Sequence, residues 1–278
     1  MIIIRIHGGF GNQLFCLNYY RYLRSKLKKN VLIDINSGFI RDKYKRKIEI
    51  KRFLNSNDKI LFENINNIFF WRFFELFIRF CDLIFCKAKL INRLIVYEKD
   101  CNSIFKPGFY NIGYWQNKFY LKKNNQKYIL DIIEKLDIKF RNKNNFSNNT
   151  QIIGLHYRTK DYEYKLDKNY YILAIEKIKE KVKHNELTLC VFTDSIADSK
   201  KELGFLQKIY NCSFYSQDFV DDFKGMLTCD HLIIARSTFS WWAAYLLTQI
   251  NKNSFVCFPD NLKFTNTKNL ILDSWIKV

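Results

Sequence analysis

The chain has no Cys-x-x-Cys pair, although it carries eight cysteines in 278 residues. It therefore lacks the usual signature of a zinc ribbon or a dithiol redox centre. Cys81, Cys86, Cys190 and Cys229 lie inside apolar runs, where a reduced thiol behaves as a small hydrophobe. No signal peptide precedes the first apolar strand, which starts at Ile2; a reducing, cytoplasmic compartment is the expectation. No uninterrupted apolar run of membrane-spanning length is present either. The nearest candidate, residues 68–86, is broken by Arg72, Glu75, Arg79 and Asp82. Acidic residues are scarce, 27 against 46 Lys and Arg, which leaves a net charge of +19. Such an excess fits nucleic acid, an anionic membrane surface or an anionic substrate. The basic residues are spread along the chain without a nucleic-acid module, so no nucleic-acid partner is expected.

What is present suits a globular enzyme-sized protein. The chain is 48% hydrophobic and 17% aromatic, and its length favours two domains over one. The Asn-rich segment 141–150, polar and without periodicity, marks the expected division into residues 1–145 and 146–278. The second half alternates apolar strands with helical segments, a parallel, doubly wound pattern. Its expected strands are IIGL, residues 188–194, a short one near Cys212–Tyr215, residues 231–235 and FVCFP as the last.

Three stretches carry the chemistry. In IIGLHYRTKDY (152–162) a buried strand ends in His156, Arg158 and Asp161. The C-terminal edge of a parallel sheet is where ligands bind, and an Arg fork there suits two phosphate oxygens. His156 and Arg158 are two apart and point to one side of an extended backbone. A surface cluster of salt bridges after a core strand explains the same residues. The strand at 188–194 brings Asp194 to the same edge.

Near the N-terminus the apolar strand MIIIRI runs into HGGFGNQLF. Gly8, Gly9 and Gly11 permit a tight turn, and Asn12 is placed to cap a helix over Gln13–Leu27. Strand, glycine turn and helix N-terminus form an anion site, though this is neither G-x-G-x-x-G nor a Walker loop. The third stretch, ARSTFSWWAAYL, sets Ser237 and Thr238 where a strand hands over to a helix, as caps and hydroxyl donors. Trp241 and Trp242 read as core.

The four charges in 68–86 fall on one stripe of an amphipathic helix, with Glu75–Arg79 at i,i+4. Packing of its broad apolar face within the N-terminal domain is the leading expectation, and a membrane-surface helix the alternative. FYNIGYWQNKFYL (109–121) is rich in groups that stack on or hydrogen-bond a sugar, and core packing explains most such stretches.

Taken together, GGFGNQLF, HYRTKDY and STFSWWAAYL, with GYWQNKFYL and the terminal DSWIKV, resemble the α-1,2-fucosyltransferases of glycosyltransferase family 11. The resemblance runs from Met1 to Val278. It implies an α/β GT-B fold: two Rossmann-like domains facing a cleft, the amphipathic helix an addition to the first, and the last residues able to pack back on it. It further implies inverting transfer of fucose from GDP-fucose to a galactose-terminated glycan. The amphipathic helix and the excess of Lys and Arg add the expectation of peripheral membrane contact with a lipid-linked acceptor. Arg158 then grips the donor diphosphate, and Gly9, Gly11 and Asn12 form a loop approaching the donor. Asp222 reads the guanine edge, and Ser237, Thr238 and Phe239 turn at the phosphates; Asp194 joins this donor-binding set. Arg158, Asp161 and His156 form the catalytic set. His7, Asp34, His156 and Asp161 all remain candidates for the general base. Two positions depart from the family: Arg236 replaces an Asn, and Thr159-Lys160 replaces Arg-Gly. No Asp-x-Asp occurs, so neither metal nor cofactor is expected. The other readings are a fucosyltransferase of another linkage or one using another GDP-sugar, a non-catalytic nucleotide- or glycan-binding protein, and a basic membrane-surface protein.

Overall fold

The computed structural model describes residues 1–27, 30–63, 65, 67–87, 94–98, 107–122, 126–138, 150–159, 165–182 and 186–278. It divides into two compact units, Met1–Lys135 and Leu136–Val278. The expected boundary at 145/146 lies outside the described residues.

The first unit contains β1 (Ile2–Arg5), α1 (Phe10–Lys26), β2 (Val31–Asp34), α2 (Ile68–Lys87), β3 (Ile95–Tyr97), β4 (Tyr110–Ile112), α3 (Phe119–Lys122) and α4 (Gln126–Lys135). Its four strands pair in parallel in the order β2-β1-β4-β3. The order reverses between β1 and β4, so a crevice opens beyond their C-terminal ends. Sequence patterning did not reveal β3 and β4, since three residues are too few to establish a period of two. Helix α1 starts at Phe10, earlier than Gln13. Its N-cap is Gly9, without a side-chain cap bond, so Asn12 does not cap it. The glycine turn is sharp enough for the helix to begin at once. Helix α4 ends at Lys135.

Helix α2 overturns the leading expectation. Its broad apolar face is outside: Phe69 is 74% exposed, Phe73 68% and Phe80 64%. The face that packs on the sheet holds Trp71 and Ile78 against Ile3, Leu61, Ile95 and Tyr110, together with half-buried charges. The cause lies in β1. Ile3 faces α2, so Arg5, two residues on, faces it too. A cation at that interface demands a counter-ion, and Glu75 lies 3.6 Å away while also holding Arg79 at 2.9 Å. Asp82 accepts the Ile95 amide at 2.8 Å. The charged stripe is thereby drawn inward.

The second unit runs β5 (Thr150–Tyr157), α5 (Lys168–Val182), β6 (Glu186–Thr193), α6 (Ile196–Leu203), β7 (Asn211–Tyr215), α7 (Phe219–Leu227), β8 (His231–Ile233), α8 (Thr238–Ile250), β9 (Val256–Phe258) and β10 (Ile276–Lys277). All six strands are parallel, in the order β7-β6-β5-β8-β9-β10. Counted from β5 this is 3-2-1-4-5-6, the order of a dinucleotide-binding sheet, and it reverses between β5 and β8. β9 is not the last strand, because the C-terminal residues pair with it as β10. Two residues carry no readable pattern.

Alternate residues of β5 serve opposite faces. Ile153, Leu155 and Tyr157 pack in one core with Tyr171, Ala174, Ile175 and Ile178 of α5. Gly154 serves the other face, where a Cβ would lie 2.5 Å from Leu232 Cδ2 and 2.8 Å from Cys229 Sγ. Trp241 and Trp242 are wholly buried. Substituting Gly154→Ala should therefore overpack this face and cost about 1–3 kcal/mol, read as a lowered urea midpoint. An unchanged midpoint would show that the face has room.

Candidate functional site

In the second unit the site forms where the strand order reverses. β5 ends at Tyr157, and Arg158 follows at the sheet's C-terminal edge. Its Nη1 donates to Ser237 Oγ at 3.3 Å. Ser237, just after β8, is the N-cap of α8 in extended conformation, and its Oγ accepts the Phe239 amide at 3.3 Å. A guanidinium thus meets the positive end of a helix whose first-turn amides have no intrahelical acceptor. Two like-signed donors converging at one edge need an anion to complete them.

His156 lies on the same side, its ring 5.6 Å from that of Phe239. It is buried, and its Nδ1 has no hydrogen-bond partner. Desolvation, reinforced by the Arg158 charge and opposed by Asp194, lowers its pKa to about 3. The imidazole is neutral at physiological pH. Phe239 in turn lies 5.2 Å from Phe223, next to Asp222 in the first turn of α7. Asp222 is buried, and its oxygens accept only long bonds from the Gln217 amide, 3.3 and 3.4 Å. Burial raises its pKa. Its unspent acceptor capacity suits a ligand's N–H groups.

The structure thus gathers Arg158, His156, Ser237, Thr238 and Phe239 around one helix terminus, with Asp222 beyond the Phe239–Phe223 pair. Asp161 lies outside the described residues. Asp194 Oδ1 accepts both the amide (2.8 Å) and the hydroxyl (2.7 Å) of Thr159, fixing the backbone beside Arg158. The Thr at position 159 thus has a structural use. Arg236 donates from Nε to Asn261 O at 2.8 Å and from Nη1 to Lys165 O at 3.4 Å, tying two loops together. Nothing in the sequence pointed to these ties.

The first unit builds a second cluster at its own reversal point, between β1 and β4. Gly8 has φ +81, and a Cβ on it would meet Tyr114 at 2.8 Å, so only glycine fits. Above Gly9 there is open space within 4 Å, while Gly11 is buried inside α1. Asn12 Oδ1 accepts from Gln116 Nε2 at 3.0 Å. His7 stacks on Tyr114 with centroids 4.4 Å apart. Its Nε2 lies 3.2 Å from Gly113 O; a carbonyl only accepts, so Nε2 carries the proton and Nδ1 the lone pair. Desolvation, then the Arg5 charge, lowers the His7 pKa to about 4. Glu98, which sequence reading passed over, accepts the Tyr114 and Gln116 amides at 2.7 and 3.0 Å and so shapes the 113–116 turn. Trp115 is buried and stacked on Tyr19 at 4.2 Å, a packing residue. Asp34 is wholly buried, and its oxygens accept from the Asn36 and Ser37 amides and from the Ser37 and Tyr110 hydroxyls. Those bonds occupy its lone pairs and remove it as a base. Among the described residues no group of His, Cys, Asp or Glu gathers as a metal site.

The glycosyl transferase family 11 profile matches residues 95–277, two thirds of the chain. The chain belongs to glycosyl transferase family 11. It is 25% identical to the α-1,2-colitosyltransferase of Escherichia coli, covering 88% of this chain and 87% of that one. It is 26% identical to the O-antigen biosynthesis glycosyltransferase WbnK of Escherichia coli, over 98% and 99%. A solved glycosyl transferase of family 9 from Veillonella parvula superimposes with a TM-score of 0.50 at 9% identity, covering 100% of this chain and 85% of that one. The family 11 chain is a glycosyltransferase with two parallel α/β units of the GT-B fold. None of its described helices is long and apolar enough to cross a membrane.

The desolvated rings of His7 and His156 make this chain sensitive to acid. Both titrate near 6.5 when unfolded but far lower when folded, so the unfolded state binds more protons between those values. Their contribution is full above pH 6.5 and fades as pH falls, toward about 4 for His7 and about 3 for His156. His156→Gln should therefore lose less stability than wild type between pH 7.5 and pH 5, by up to about 2 kcal/mol in urea unfolding. Parallel losses in both proteins would refute a buried neutral His156.

Proposed function

We propose that this glycosyltransferase moves L-fucose from GDP-β-L-fucose to the 2-hydroxyl of a terminal galactose, forming an α-1,2 linkage with inversion. The convergence of Arg158 with the capped N-terminus of α8 at the reversal of strand order carries this reading. In the transfer the bond from fucose C1 to the diphosphate oxygen breaks and a bond to the acceptor oxygen forms. Charge accumulates on the leaving diphosphate, and preorganised donors aimed there lower the barrier. Arg158 and Ser237, with Thr238 and Phe239 in the first turn, supply them. Asp222 accepts from N1 and N2 of guanine. Gly9, beneath open space, and Asn12 belong to the glycine turn of the first unit, which suits a ligand's polar groups.

The acceptor's proton passes to a base. His7 holds a neutral ring with an available Nδ1 lone pair, which supports it over Asp34 for that role. The reaction proceeds without a divalent metal, and chelation by EDTA should leave turnover unchanged. The acceptor is a galactose-terminated glycan carried on a lipid, met at the cytoplasmic face of a membrane.

A relative whose name records α-1,2 transfer of colitose supports a second reading, in which the linkage is kept and the sugar is colitose. Incubating the chain with lactose and each activated sugar, followed by product NMR, separates the two. Arg158→Lys keeps the charge and loses the bidentate fork; kcat should fall by about 10²-fold or more. Wild-type turnover in the folded Lys variant would remove Arg158 from the diphosphate. Asp222→Asn should raise the donor KM and erode the preference for GDP over UDP as leaving group. Retention of that preference would take Asp222 out of the base pocket.

A further inference from the structure

We propose that α2 is a membrane-docking helix that seats the first unit on an anionic phospholipid surface. The inference is independent of which sugar is transferred. Phe69, Phe73, Leu76, Phe77, Phe80 and Leu83 are each more than half exposed. At 100° per residue they lie within one stripe along the full helix. Scattered surface hydrophobes need no explanation, but a continuous aromatic stripe does. Burial of charge on the opposite face, by Arg5, Glu75 and the Ile95 amide, locks the helix in this orientation. Rotation to hide the stripe would strand Arg5 without its counter-ion.

Charge identifies the occupant as a lipid surface. Arg72 and Arg79 border the stripe and are exposed. The short turn Ser37–Phe39 packs against α2, and Ile40 joins the core beneath it. Directly after Ile40 comes the run Arg41, Lys43, Lys45, Arg46 and Lys47, of which all but Arg46 are exposed. Within it Tyr44 is 62% exposed and carries Arg46 on its ring at 4.4 Å. The run is held in place, because the buried Gln13 donates to Lys47 O and accepts the Glu49 amide. An apolar stripe bordered by exposed cations, in a unit that also carries a held basic loop, matches acyl chains beneath anionic headgroups. A helix with five charged residues lies in the interface plane and does not span it.

Vesicle co-sedimentation of the full chain tests this. Vesicles of equal parts phosphatidylcholine and phosphatidylglycerol should bind it, more weakly as salt rises, and phosphatidylcholine alone should bind it at least about tenfold less. The combined variant Phe73→Ser, Phe77→Ser and Phe80→Ser changes only exposed side chains, and its urea midpoint should match wild type. It should lose at least about tenfold in vesicle affinity. Lys43→Glu with Lys45→Glu should remove part of the salt dependence. Absence of wild-type binding at low salt, or equal binding by the Phe variant, overturns the proposal. So does a wild-type dimer in sedimentation velocity that the Phe variant dissolves and anionic vesicles do not, since a second copy would then cover the stripe.

Discussion

The second unit depends on a hydrogen bond between two side chains that are far apart in sequence. Arg158 and Ser237, each following one of two neighbouring strands, meet only because the chain leaves β5 in one direction, builds β6 and β7, and returns to the other side as β8. That reversal opens a crevice at the C-terminal ends of β5 and β8, where a ligand's anion can reach both. Ser237 caps α8 with the same oxygen that meets Arg158. The residue that starts the helix therefore also orients the guanidinium.

Around this bond the site is held by a further set of hydrogen bonds. Asp194 pins Thr159 through two bonds, Arg236 ties the segments at Lys165 and Asn261, and Tyr171 donates to the His156 carbonyl at 3.1 Å. Such support keeps a charged side chain preorganised without water. Arg236 spends its charge on backbone carbonyls, which accounts for a cation at that position. In the first unit Glu98 has the corresponding part, shaping the turn that brings Tyr114 to His7 and Gln116 to Asn12.

Helix α2 shows how one charge can govern an element. Apolar residues outnumber charged ones on it, and transfer free energy alone would turn the Phe stripe inward. The buried Arg5 reverses that outcome, because an unpaired cation at the interface costs more than an exposed aromatic ring. The result is a helix packed through Trp71, Ile78 and an ion pair, with its most apolar side outward.

Much of this was legible in the sequence. β1, β2, β5 to β9, the glycine turn and the two strand-to-helix handovers follow from apolar runs and capping residues, which are local properties of a few neighbouring side chains. His156 and Arg158 share a side because a strand has a period of two. Long-range pairing was not legible. The joining of Arg158 to Ser237, the bond from Tyr110 to Asp34, the inward turn of Glu75 toward Arg5 and the two-residue strand β10 each depend on partners outside the local stretch of sequence. Periodicity tells which face of an element is apolar; where an ion or a lone pair finds its partner is decided only when the chain has folded, since buried charge must be matched in space.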